Sequence, residues 1–140
     1  MINSDNFGYM KKIIVFGSFD PLHKGHRDFF CQAKNLGDYL IVVVARDEQI
    51  SRIKNHESRI KEDERLETVQ AEKNVDQAML GDIGENYTVL KKIMPDIIAI
   101  GYDQKIPKDL KDKVSKLKTV RLKPFHPEKY KSSKISRLRF

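Results

Sequence analysis

The stretch from Lys12 to His26, KIIVFGSFDPLHKGH, constrains the chain most. A β-branched and aromatic run breaks into a glycine turn and then sets two histidines three residues apart. Lys12 to Phe16 has the composition of a strand buried on both faces, which belongs to a parallel sheet. Gly17 is expected to let the backbone turn without a Cβ penalty, and Gly25 to let a ligand approach the main chain near the start of the next helix. Unpaired amides at that helix start are then open to phosphate. With a helix begun by Lys24, His23 and His26 stand at i and i+3 and project toward the same side. Both imidazoles can donate to phosphate oxygens.

Strands and helices alternate through the rest of the chain. Lys24 to Leu36 places Phe29, Phe30, Ala33 and Leu36 on one helical face, and Gly37 is expected to end that helix as a C-cap residue. Tyr39 to Ala45 reads as a second buried strand, and Arg46 to Lys54 leads out of it. Glu62 to Ala71 carries Leu66 and Val69 at helical spacing, and Val75 to Leu80 is a short strand. Tyr87, Leu90, Ile93 and Met94 form a helix stripe that Pro95 closes, followed by a buried strand at Ile97 to Ile100. Pro107 opens a helix with Leu110, Val114 and Leu117 inward. A strand near Thr119 to Leu122 and a helical turn from Ser133 complete the order.

This alternation predicts a Rossmann-like open parallel α/β sheet of about five strands with helices on both faces. Such sheets bind ligands beyond the carboxyl ends of their strands, around the switch in strand order. Three segments converge there: the first motif, Ala45-Arg46-Asp47-Glu48 after the second strand, and Gly101-Tyr102-Asp103-Gln104 after the fourth.

At 140 residues and 39% hydrophobic, the chain is expected to be a flexible leader over 1–10 and a single domain over 11–140. Its one cysteine, Cys31, has no partner for an internal disulfide and is expected to pack beside Phe30, which fits a reducing cytoplasm. No signal-peptide pattern opens the chain and no stretch approaches the roughly 20 apolar residues of a membrane span, so a cytoplasmic protein without a membrane partner is expected. The net charge of +7 comes from Lys118 to Phe140, where eight Lys or Arg face one acid, Glu128. The tail is expected to be a solvated basic segment or a nonspecific polyanion patch.

The segment Gly17-Ser18-Phe19-Asp20-Pro21-Leu22-His23-Lys24-Gly25-His26 resembles the HxGH signature of the nucleotidyltransferase superfamily, with Gly17, Phe19, Asp20, His23, Gly25 and His26 matching in order. Further matches follow along the chain. The segment after strand two resembles the one that leads to a phosphate-contacting lysine, for which Lys54 is the best match and Arg52 the next. Arg65 matches a family arginine, and Lys73 stands where the family has another. Gly101 and Asp103 match the Gly-x-Asp turn against base and ribose. Ser132-Ser133-Lys134-Ile135 matches a late motif whose hydroxyls and helix N-terminus bind the triphosphate. Plain turn and N-cap roles remain open for these last two segments.

The resemblance implies transfer of a nucleoside monophosphate from a triphosphate to a phosphate-bearing acceptor, with pyrophosphate leaving and no covalent protein nucleophile. It implies His23, His26, Lys54 and Arg65 as catalytic, and Gly17, Ser18, Phe19, Asp20, Gly25, Gly101, Asp103, Ser132 and Ser133 as nucleotide-binding. Mg²⁺ is expected on the triphosphate rather than on a protein metal site, because no clustered carboxylates have ligand spacing. The runs at Val43 to Glu48 and Pro95 to Gln104 are most similar to the archaeal FAD synthases, which implies ATP and FMN. A cytidylyltransferase acting on CTP and glycerol 3-phosphate is the alternative reading, and a noncatalytic nucleotide or nucleic-acid binding protein is a third. The resemblance also implies a homodimer and no specific nucleic-acid partner.

Overall fold

The computed structural model describes residues 10–82, 88–105 and 117–124. Its strands are β1 (Lys12–Gly17), β2 (Tyr39–Val44), β3 (Gln77–Leu80), β4 (Ile97–Ile100) and β5 (Lys118–Arg121). They form one sheet in the order β3-β2-β1-β4-β5, every pairing parallel. The chain builds outward from β1 through β2 to β3, then returns to add β4 and β5 on the other side. That reversal opens a crevice between the carboxyl ends of β1 and β4.

Strands β1, β2 and β4 are apolar on both faces because both faces are covered. On one side Ile13, Val15, Leu40, Val42 and Val44 pack with Phe30 and Ala33 of helix α1 (Lys24–Lys34) and Val69 of helix α3 (Glu62–Gln70). On the other side Ile14, Ile41, Val43, Ile98 and Ile100 pack with Leu90 of helix α4 (Thr88–Ile93). The segment expected only to lead out of β2 is a further helix, α2 (Asp47–Lys54), anchored by buried Ile50. No helix among the described residues is long and apolar enough to cross a membrane.

Three local expectations are corrected. Helix α1 closes at Asn35 in right-handed geometry, not at Gly37. Gly37 is small for a different reason: a Cβ there would lie 2.4 Å from Ile13 Cδ1 and 2.8 Å from the Lys11 carbonyl oxygen. Cys31 is exposed rather than packed. Met94 leaves the helix stripe, taking φ 52° with its side chain 73% exposed, so α4 ends one residue earlier at Ile93. Tyr87, Leu110, Val114, Ser132, Ser133 and the helical turn expected from Ser133 lie outside the described residues.

Candidate active site

The turn beyond β1 is built around Phe19. Its backbone is left-handed, with φ 51°, and its ring folds back under Gly17, where a Cβ would come within 2.5 Å of the ring Cζ. The glycine expected to supply conformational freedom supplies space instead. Phe19 is buried, meets the His26 ring edge-on at 5.0 Å between centroids, and lies 5.2 Å from the Phe30 ring. The Phe19 side chain is a core prop beneath His26.

The two histidines cap their own helix. The Gly25 amide donates to His23 Nδ1 at 3.1 Å, and the His23 amide donates to His26 Nδ1 at 3.2 Å. This is the reciprocal arrangement of a capping box, made here by imidazoles at i and i+3. The rings stack 3.8 Å apart at 25°. A Cβ on Gly25 would sit 2.9 Å from His23 Cε1, so glycine makes room for the ring. The Gly25 and His26 amides, expected to await phosphate, are engaged: Gly25 by His23 Nδ1 and His26 by the His23 carbonyl at 3.0 Å. In a neutral imidazole an accepting Nδ1 leaves the proton on Nε2. Burial, then the nearby His23 and Lys54 charges, lower the His26 pKa to about 3. His26 is therefore neutral at physiological pH.

Lys54 ends α2 beside this pair, its Nζ donating to Ser18 Oγ at 3.4 Å. Interlocked carboxylates hold the start of α2. The Asp47 amide donates to Glu62 Oε1 at 2.8 Å, and the Glu62 amide donates to Asp47 Oδ2 at 3.2 Å. Asp47 Oδ1 also accepts from Ser58 Oγ and Arg65 Nη2, at 2.6 and 2.8 Å. Burial pushes the Asp47 carboxyl up, but the Ser58 and Arg65 hydrogen bonds, the Glu62 amide and the Arg65 charge outweigh it and bring the pKa to about 2.

Arg65, expected to hold phosphate, is buried within the chain. It is 1% exposed, and its guanidinium donates to the carbonyls of Ile60, Ser18 and Ala45 at 2.7–2.8 Å as well as to Asp47. A charge taken from water is retained only where its donors are satisfied, and here they bind four chain segments together. Asp20 is likewise bonded to the chain itself. Its carboxylate accepts the Arg59 and Ile60 amides at 2.8 and 2.7 Å, tying that loop under the first motif. Lys73 lies in the exposed turn before β3, at the amino end of the sheet and away from the site.

Beyond β4, Gly101 and Asp103 form the expected turn, with Asp103 exposed. Two residues that the sequence reading left without a role hold it. Gln104 Oε1 accepts the Gly101 amide at 3.0 Å while Nε2 donates to the Phe16 carbonyl at 3.2 Å, joining the ends of β1 and β4. Arg121 Nη1 donates to the carbonyls of Gly101, Tyr102 and Gln104 at 2.9, 3.2 and 2.8 Å. Its signal was its place at the carboxyl end of a strand, and counting it with the basic tail concealed that.

A parallel sheet with a histidine pair, a lysine and a turn gathered at its switch crevice defines a nucleotide-binding α/β enzyme of the nucleotidyltransferase class. The chain belongs to the cytidylyltransferase-like family, which it matches over residues 14–138. It is 44% identical over 97 residues to an FAD synthase of Ferroglobus placidus, covering 68% of this chain and 61% of that protein. It is 41% identical over 121 residues to an FAD synthase of Aciduliprofundum boonei, covering 83% of this chain and 80% of the relative. Among solved structures it is similar to a lipopolysaccharide core biosynthesis protein from Thermoplasma volcanium, with a TM-score of 0.76 and 37% identity over 84% of this chain and 99% of the other.

Proposed function

We propose that the chain is an FMN adenylyltransferase, transferring AMP from ATP to FMN to give FAD and pyrophosphate. The observation that carries this reading is the stacked, self-capped pair His23 and His26 beside Lys54 and Ser18. The FAD synthases of similar sequence supply the acceptor.

An oxygen of the FMN phosphate attacks the α-phosphorus of ATP, and the bond to the bridging oxygen breaks as pyrophosphate departs. The protein's task is positioning and charge stabilisation. His23 and His26 donate from Nε2 to phosphate oxygens as charge builds on them, and the Lys54 ammonium neutralises it. Gly17, Ser18 and Gly25 line the phosphate approach, while Gly101 and Asp103 lie against the base and ribose. Ser132 and Ser133 bind the β- and γ-phosphates in this reading.

Among the described residues no three His, Cys, Asp or Glu side chains gather as a metal site. In this reading Mg²⁺ would arrive on the triphosphate and be held there by phosphate and water. Bound in that way it offsets phosphate charge.

The test crosses ATP or CTP against FMN or glycerol 3-phosphate and measures pyrophosphate release, with His26→Ala as control. Release with ATP and FMN, lost in the variant, is expected. Release with CTP and glycerol 3-phosphate alone overturns the assignment in favour of a cytidylyltransferase.

A further inference from the structure

A second concavity lies at the β2–β3 side of the sheet's carboxyl edge. It has a volume of about 430 Å³ and lies against α4. Met79, Leu80, Val89 and Ile93 supply apolar walls, Arg46 and Lys92 supply two cations, and Asp82 adds a carboxylate that accepts the Val89 amide at 3.2 Å. The crevice assigned to ATP, between β1 and β4, does not use these residues.

The hydrogen bonds show how close the two sites are. The Ala45 amide donates to the Gly17 carbonyl at 2.9 Å, and Arg65 Nη1 donates to both Ala45 and Ser18. The next residue, Arg46, turns its Nε to the Gly81 carbonyl at 2.8 Å and its Nη1 to Glu62. The wall of the cleft is thus one residue from a strand end bonded directly to the phosphate turn. The cleft and the Ser18–Lys54 pair lie on the same carboxyl edge of the sheet.

We propose that this cleft holds the isoalloxazine ring of the acceptor, an inference that rests on the FMN reading above. The ring is flat and apolar over its benzenoid part, which suits a pocket walled by Met79, Val89 and Ile93. Its pyrimidine edge carries carbonyl acceptors, which suit Arg46 and Lys92. The ribityl chain then spans the distance to the first motif. Glycerol 3-phosphate has no ring to fill such walls.

Riboflavin is the probe, since it carries the ring without the phosphate. Its fluorescence is titrated with protein in the absence of ATP, and FMN is added as competitor, for the wild type, Val89→Asn and Lys92→Glu. Lys92 is exposed, so its variant tests the cleft without disturbing the core. Quenching by wild type, displaced by FMN and weakened about tenfold in both variants with the KM for ATP unchanged, is the expected result. Variants that bind riboflavin as wild type does, in a protein that still makes FAD, overturn the cleft assignment and leave the activity standing. A wild type that neither quenches riboflavin nor makes FAD overturns both.

Discussion

Asp47 and Glu62 cap each other's helices: each carboxylate accepts the other's backbone amide, at 2.8 and 3.2 Å. Helix α2, which carries Lys54, is therefore set against α3 through two charges that satisfy donors each helix start would otherwise leave open. Glu62→Ala is expected to cost about 1–2 kcal/mol of stability, the range for a lost N-cap, and to raise the KM for ATP as α2 loosens. Thermal melts and initial rates check this.

The same pair sets an acid limit. The Asp47 pKa falls from 3.8 unfolded to about 2 folded, so its contribution to stability is full above the unfolded value and is lost as pH drops through about 2. Asp47→Asn is expected to melt below wild type at neutral pH, with the gap closing as pH approaches 2. A gap independent of pH would contradict the ionic role.

Arg65 is expected to act on binding through position rather than contact. Arg65→Met leaves three carbonyls and Asp47 without their donor and is expected to cost about 3 kcal/mol. Arg65→Lys reaches fewer of these acceptors and is expected to raise the KM for ATP more than it lowers kcat. If Arg65→Lys melts as wild type does and loses kcat alone, the guanidinium touches substrate and the positioning role fails.

His26 is expected to stay neutral across the working range. Its pKa of about 3 lies below the 6.5 of a free imidazole, so the unfolded chain binds the extra proton and stability falls as pH drops from about 6.5 toward 3. In NMR the His26 ring signals should not move between pH 8 and pH 5. A titration near 6.5 would show that the ring is not held as described.

Gly17 and Phe19 form a matched pair. Gly17→Ala puts a methyl group within 2.5 Å of the Phe19 ring and is expected to cost about 1–3 kcal/mol through overpacking. Adding Phe19→Leu is expected to recover part of the Gly17→Ala loss. Strictly additive losses would show that the two positions do not compete for space.

The sequence made the sheet legible because strands β1, β2 and β4 are continuous apolar runs, a pattern that needs both faces covered. The histidine pair was legible because glycine, aromatic and imidazole spacing recur together. What stayed hidden has a physical cause in each instance. Arg65 and Asp20 are polar residues of a kind that bind phosphate, and nothing in their neighbours along the chain reveals that carbonyls and amides from elsewhere consume them. Gln104 and Arg121 act on backbone, which any sequence possesses, so no partner residue marks them. Ile50 is the one buried residue of Asp47 to Lys54, so no apolar stripe marks that helix along the sequence.

Each imidazole in the pair has one nitrogen given to the scaffold, and the proton on the other is held there by that bond. A phosphate that attacks as an anion and a pyrophosphate that leaves as one need no hydrogen moved between them. Under the proposed transfer the rings serve as fixed dipoles, and turnover is expected to run at the same rate in heavy water as in light.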